Sequence, residues 1–533
     1  MRKYSLAFLF LVIMNVSGQL PYKYRVYLTD KQGSMELIKY PERLLPSRAL
    51  ARRGHHEVFV DVSDLPVAAD YVSQLQEAGY PLVCTSRWMN TVVVSSSDPD
   101  SRESLLRFPF VKDVRLVWKD NAYQPSFFVK TSDTRPDAKK DAEAALYQLK
   151  VHHGDKLHQA GYRGEGMWIA VIDAGFLNVD KIAALSGNVL GTYDFVDPKG
   201  DIFATHPHGT NVLSVMTAPE SSAFSGSAPG ASYWLLRSED SSSEYPVEED
   251  YWIAAAEYAD SVGVDVINSS LGYSLFDDPE MNYAEADIDG KSAFITRGAT
   301  WAASKGILVV NSAGNERERP WKRISFPSDS PDILTVGAVR PNMEPAAFTS
   351  EGFVRDEYVK PDLSGMGDPA YLIDEAGILT QGSGTSFSTP VIAGLAACLW
   401  QSLPHLKNQE VIRLLRRHTS HPDTPDALTG YGLPNVYEAY AETTPLYLIP
   451  EKGQVVIHPV DTAAGIWQVS GLPQEHTPSY LRVINSSGRL VDNFRFTGNN
   501  YLFNLNHLEK GLYIISVQSA AVQFTQRIHL SPR

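Results

Sequence analysis

Four polar side chains stand where a chain could carry out acyl transfer. Asp173 ends the apolar run Trp168-Ile169-Ala170-Val171-Ile172 and is followed by Ala174-Gly175. A carboxylate at the carboxyl end of a strand can orient an imidazole, although a turn or helix-capping aspartate reads the same way. His208 lies in His206-Pro207-His208-Gly209-Thr210, just before an apolar helical stretch. A histidine at a helix start, followed by a glycine that permits close approach, suits a general base facing a cleft. His206 and His208 also form an H-x-H pair of the kind that binds metals, but no third ligand stands at a convincing spacing.

Ser386 lies in Gly382-Ser383-Gly384-Thr385-Ser386-Phe387-Ser388-Thr389-Pro390, which leads into an apolar run toward Trp400. A serine at a helix N-terminus gains from the local dipole, and its own N–H can face a developing oxyanion. A plain Ser/Thr cap after a Gly-rich loop is the bland alternative, and Pro390 in the first turn suits both. Asn315 closes Asn311-Ser312-Ala313-Gly314-Asn315 after another apolar run. A fixed amide donor there could bind the oxyanion beside the Ser386 N–H, an effect of about 3–4 kcal/mol; a turn asparagine is the alternative.

Each signal is modest alone, and the order Asp, His, Asn, Ser makes them specific. An α/β-hydrolase order would require the nucleophile to precede its acid and base.

Positioning these groups falls to an alternation of strand, loop and helix from Gly164 to about Tyr440. Strand runs at 167–172, 233–236, 264–267, 307–310 and 333–336 alternate with helical segments at 211–216, 248–261, 293–305 and 387–403. Continuous apolar strands between helices predict a parallel sheet covered on both faces, with its site at the carboxyl ends of the strands.

Before this region, residues 19–120 read as a small α+β unit. Strands are expected at 24–28, 81–85, 91–95 and 110–117. A helix over 66–78 is expected to be capped by Asp64 and stopped by Gly79, and a second to open at Asp98-Pro99 with Leu105 and Leu106 inward. Residues 121–140 are polar, with Pro125 and Pro136, and read as a linker. After the alternating region, 141–443, residues 444–533 show strand alternation and a Ser486-Ser487-Gly488 turn, which predicts an all-β sandwich.

The 533 residues exceed one ordinary domain, and a net charge of -15 disfavours a nucleic-acid partner. Arg2 and Lys3 precede the apolar run 6–14, with Ser17-Gly18 after it, the anatomy of a signal peptide over 1–18. No other segment approaches the roughly 18 apolar residues of a membrane span. The two cysteines, Cys84 and Cys398, fall in different units and read as small core side chains.

Across roughly residues 140–443 the chain resembles the subtilase peptidases. The resemblance rests on Val171-Ile172-Asp173-Ala174-Gly175, His208-Gly209-Thr210, Ala313-Gly314-Asn315, and Gly384-Thr385-Ser386 with Thr389-Pro390. It implies a triad of Asp173, His208 and Ser386, an oxyanion hole with Asn315, and no organic cofactor. Asn268-Ser269-Ser270-Leu271-Gly272 resembles the family's substrate-pairing strand, so Ser270, Leu271, Gly272 and the following Tyr273 are expected to bind substrate. Gly430-Tyr431-Gly432 resembles the tail of the family's catalytic domain. Ala174, Asn211 and Tyr273 depart from the residues usual there and bear on pocket shape and pH profile.

The N-terminal unit is similar to subtilase inhibitory propeptides, which are ferredoxin-like. Gly488-Arg489-Leu490-Val491, Leu508-Glu509-Lys510-Gly511-Leu512-Tyr513-Ile514 and Gln526-Arg527-Ile528 resemble the sorting modules of exported Bacteroidetes proteins that leave by type IX secretion; an ordinary β accessory domain is the alternative. The expected partners are protein or peptide substrates, the chain's own propeptide as inhibitor, and a secretion or cell-surface apparatus. An inactive binding protein with this fold and an ester hydrolase are the rivals. The acidic insert Asp277-Asp278…Asp287-Ile288-Asp289-Gly290 could hold structural calcium, without EF-hand spacing, or be a solvated loop.

Overall fold

Seven parallel strands form the central sheet, in the order 363–366, 334–339, 308–312, 266–269, 168–173, 232–237, 189–194. The computed structural model describes residues 20–33, 35–120, 140–219, 224–443, 455–461, 465–472, 478–485, 488–498, 500–519 and 523–530. The signal-peptide expectation and residues 121–139 of the linker lie outside them. Lys140 already opens a helix, Lys140–Lys150.

Side chains alternate across the strands, so each strand feeds two cores. Ile169, Val171, Leu235 and Val310 face the helices His208–Thr217 and Thr385–Ser402. Ala170, Ile172, Leu236 and Val309 face the opposite side, under Val247–Val262 and Phe294–Ser304. The parallel sheet with helices on both faces is therefore present. Two edge strands, Val189–Asp194 and Leu363–Met366, add to the five expected.

The N-terminal unit is an antiparallel sheet in the order 82–86, 91–96, 22–28, 111–119, with helices Ala69–Glu77 and Ser101–Leu105. Strand, helix, strand, strand, helix, strand in that pairing is the ferredoxin-like arrangement. Gly79 stops the first helix at φ +91, as expected.

Asp64 is not its cap. The helix starts after Ala68 without a side-chain cap, and Asp64 instead sits buried under both Nη atoms of Arg53 at 2.9 and 2.7 Å. The second helix begins at Ser101, with Leu105 buried and Leu106 half-buried.

This unit docks on the helix Val247–Val262 through charge. Arg25 Nε reaches both carboxylate oxygens of Asp250 at 2.8 and 2.9 Å. From an additional helix, Ser47–His55, Arg52 and Arg53 share the buried Asp260.

At the C-terminus a three-stranded sheet (456–461, 466–470, 501–504) and a four-stranded sheet (490–496, 479–485, 511–518, 523–530) enclose one core around Ile457, Val469, Leu481 and Ile515. This is the expected sandwich. Gly488 has φ +81 at the hairpin turn, while Ser486 and Ser487 lie outside the described residues. Cys84 and Cys398 are free thiols, the latter fully buried.

Candidate functional site

The four sequence-predicted groups converge at the carboxyl edge of the sheet. Asp173 ends its strand fully buried, and its Oδ1 accepts from the Ala174 N–H at 2.8 Å. His208 opens its helix and joins the same Oδ1 through Nδ1 at 2.8 Å. Two glycines let these elements approach. A Cβ on Gly209 would lie 2.4 Å from Gly175 O and 3.0 Å from Asp173 Cβ, and one on Gly175 would lie 2.1 Å from Thr205 Oγ1. Burial disfavours a charged His208, yet the Asp173 carboxylate outweighs it and holds the imidazole's pKa above its ordinary 6.5.

His206 stands apart from this pair. Its Nδ1 accepts from the His208 backbone N–H at 3.2 Å, and its ring centroid lies 6.4 Å from that of His208.

Ser386 is the second residue of the helix Thr385–Ser402. Its Oγ donates to the Ser270 carbonyl at 3.3 Å, and Ser270 Oγ donates to the Ser386 carbonyl at 2.8 Å. Pro390 sits deeper in the helix than its expected first turn. Lacking an N–H, it leaves the Ser386 carbonyl without its helical donor, and Ser270 supplies one.

Asn315 is clamped by its oxygen. Oδ1 accepts from the Thr385 N–H at 2.9 Å and from Thr385 Oγ1 at 3.0 Å, while Thr385 Oγ1 accepts from the Gly314 N–H at 3.2 Å. Fixing Oδ1 turns Nδ2 outward. A Cβ on Gly384 would lie 3.6 Å from Asn315 Nδ2 and 3.7 Å from the Ser386 N, so an unfilled space lies between two N–H donors. Gly314 turns the chain into this geometry with φ +100, where a side chain would also strike Ser325 Oγ at 2.4 Å.

His208, Ser386, Asn315, Ser270, Leu271 and Gly272 all line one cleft. Tyr273 does not. It is 1% exposed, held by a backbone exchange with Phe326 at 2.9 Å each way, and its hydroxyl donates to Glu239. Tyr273, expected to bind substrate, stands behind Glu239, which does line the cleft.

Sequence reasoning missed one wall altogether: Glu239, Asp240, Glu244 and Glu248. The signal was the acid-rich stretch Ser238-Glu239-Asp240…Glu248-Glu249-Asp250 at the carboxyl end of a sheet strand. Burial raises the Glu239 carboxyl to about 7, against the hydrogen bonds from Tyr273 and Ser238. Burial, with Glu239 as the next contributor, raises Glu244 and Glu248 well above the carboxylate range.

Carboxylates of the acidic insert are taken up by partners within the chain. Asp278 pairs with Lys119 at 2.6 Å, Asp287 accepts from the Ala284 N–H at 2.9 Å, and Asp289 binds Ser292 Oγ at 2.7 Å. Among the described residues, no three His, Cys, Asp or Glu side chains stand as a metal-holding group.

A parallel sheet covered on both faces, with these groups at its carboxyl edge, defines a subtilisin-like α/β protein. Residues 164–432, half of the chain, match the Subtilase family, and the chain belongs to it. Residues 23–133 match the Peptidase S8 propeptide domain of Bacteroidota, and residues 462–531 match a secretion system C-terminal sorting domain.

Subtilisin E of Bacillus subtilis is 30% identical over 280 residues, 51% of this chain and 65% of its own length, so the match covers less than two thirds of that relative. Subtilisin DY of Bacillus licheniformis is 27% identical over 274 residues, 51% of this chain and 89% of its own. The crystal structure of fervidolysin from Fervidobacterium pennivorans, a keratinolytic enzyme related to subtilisin, covers 94% of this chain and 71% of its own with a TM-score of 0.55. At 16% identity it shares the fold. The sorting domain marks the protein for secretion or the cell surface. No helix of the described residues is long and apolar enough to cross a membrane.

Proposed function

We propose that the protein is a secreted serine endopeptidase that hydrolyses peptide bonds through Asp173, His208 and Ser386. The observation that carries this reading is the 2.8 Å Asp173–His208 bond opening on the same cleft as Ser386 and the free Asn315 amide. Ser386 Oγ turns from the Ser270 carbonyl toward His208 Nε2 as substrate enters, since such bonds often tighten only in the complex. It then attacks the scissile carbonyl. His208 takes the proton and returns it to the leaving amine, and Asp173 fixes the tautomer and stabilises the imidazolium. Asn315 Nδ2 and the Ser386 N–H hold the oxyanion. Ser270, Leu271 and Gly272 pair with the substrate backbone. The chemistry draws on no organic cofactor.

The N-terminal unit serves as an intramolecular inhibitor released by self-cleavage, and the sandwich engages the export machinery. A tethered inhibitor competes at about millimolar effective concentration, so modest affinity blocks the cleft.

The test compares wild type with Ser386→Ala by fluorophosphonate labelling and casein hydrolysis. Labelling and turnover in wild type alone are expected, with turnover falling by several orders of magnitude in the variant. An unlabelled wild type would favour a binding protein, and activity on esters without casein cleavage would favour an ester hydrolase.

A further inference from the structure

Several buried or half-buried acids of the fold are paired with arginine. Arg25 holds Asp250 at 2.6 Å, Arg48 holds Asp265 at 2.6 Å, and Arg52, Arg53 and Arg87 converge on Asp260 at 2.5, 2.5 and 3.0 Å. The wall of the catalytic cleft breaks this habit. Arg319 is the only basic side chain besides His208 among the described lining residues, and it is engaged by Glu316 at 3.3 Å.

Glu239 and Glu248 on this wall are 8% and 1% exposed and have only neutral hydrogen-bond partners. Glu239 accepts from the hydroxyls of Tyr273 and Ser238, and Glu248 accepts from the N–H groups of Asp240 and Tyr245 at 2.8 and 3.1 Å. Glu244 lines the same wall beside them. Burying acids without counter-charge is unfavourable, and here burial itself pushes all three toward their protonated forms. An arriving cation would relieve that penalty at the place where substrate must lie.

The chain's own inhibitor-like unit supplies an independent indication. It brings two lysines to the elements that flank this wall. Lys23 lies 4.5 Å over the Trp118 ring and donates to Tyr251 OH at 3.1 Å; burial lowers its pKa, against the attraction of Asp240 and Glu248. Lys119, one residue before the end of the described unit, pairs with Asp278 at 2.6 Å.

We infer that the cleft selects peptides carrying lysine or arginine close to the scissile bond, and that Glu239, Glu244 and Glu248 receive the cationic side chain. This rests on the peptidase reading of the same cleft. Glu239 is the member nearest the chemistry, since its charge also acts on His208.

The experiment uses enzyme matured from the full chain and peptide pairs that differ only in arginine against citrulline. The pair is placed in turn at each of several positions on either side of the cut. At one position or more, kcat/KM for arginine should exceed that for citrulline at least about tenfold. The ratio should fall toward one in Glu244→Gln and Glu248→Gln, whose folding is checked by thermal melting. It should also fall as salt is raised. Hydrolysis of both series at equal rates at every position overturns the inference and leaves the peptidase reading intact. Failure to cleave any peptide or casein overturns both.

Discussion

Ser270 and Ser386 exchange hydrogen bonds, each hydroxyl donating to the other's carbonyl, at 2.8 Å from Ser270 and 3.3 Å from Ser386. The exchange ties the proposed substrate-pairing segment to the start of the nucleophile's helix. It also satisfies the carbonyl that Pro390 leaves without an N–H. Asn268 Nδ2 donates to Ser270 Oγ at 3.3 Å and fixes the hydroxyl's orientation.

Ser270→Ala should therefore destabilise the protein by about 1–3 kcal/mol, the range for a buried acceptor left without a donor. It should also lower kcat, because the turn carrying Ser386 loses its tether. Urea unfolding and steady-state kinetics check both. Unchanged stability would mean that water replaces the hydroxyl.

Asn315 is expected to act on the transition state. Asn315→Ala should lower kcat by roughly 10²–10³ with little change in KM. Gly384→Ala should lower kcat as well, because its methyl would stand 3.6 Å from Asn315 Nδ2 and 3.7 Å from the Ser386 N, at a φ of +159 that strains a side chain. A pure KM effect in either variant would assign the space to substrate binding instead.

The sequence made the chemistry legible where each group follows an apolar strand, as Asp173 and Asn315 do, or opens a helix, as His208 and Ser386 do. Those positions depend on local pattern. What stayed hidden depends on contacts far along the chain. Tyr273 reads as a pocket residue until Phe326 and Glu239 bury it. The helix Ser47–His55 has no apolar stripe; Ala49, Arg52 and Arg53 form its buried face, and the arginines are stable there only because Asp64 and Asp260 meet them. The strand Val189–Asp194 escaped because it is a mostly exposed edge interrupted by Gly191.

Two titrations should shape the pH profile. His208 must be neutral to accept the Ser386 proton, and its pKa is raised, so kcat/KM should climb with pH through a midpoint above 6.5. Glu239 faces Tyr273 and Ser238 as hydrogen-bond donors, with Asp173 and His208 as its charged neighbours and Glu244 and Glu248 on the same wall. Its carboxyl, at about 7, is neutral below that pH and charged above it. The arginine-over-citrulline ratio should thus grow as pH rises through about 7. Glu239→Gln should flatten that growth and shift the His208 midpoint downward, since one negative charge is lost. A ratio that does not vary between pH 5.5 and 8.5, a span of about 1.5 units either side of Glu239, would remove Glu239 from substrate recognition.

Maturation should leave the helix Lys140–Lys150 on the mature enzyme. Its Ala145 and Leu149 are buried against the catalytic unit. Gln148 exchanges hydrogen bonds with the Tyr371 backbone at 2.8 and 3.2 Å. Cutting inside this helix would break that exchange, so the N-terminus of purified wild type should fall between residues 121 and 139. Ser386→Ala should keep the N-terminal unit attached. Arg25→Met should release it more readily, because Asp250 and Glu249 would be left buried without their guanidinium. Loss of one partner of such a pair costs about 3–5 kcal/mol, so the separated unit should inhibit in trans at least a hundredfold more weakly than wild type. Mass spectrometry of the purified proteins and inhibition by the isolated unit measure the two effects. An active wild-type enzyme with residues 20–120 still covalently attached would show that the unit is a permanent domain.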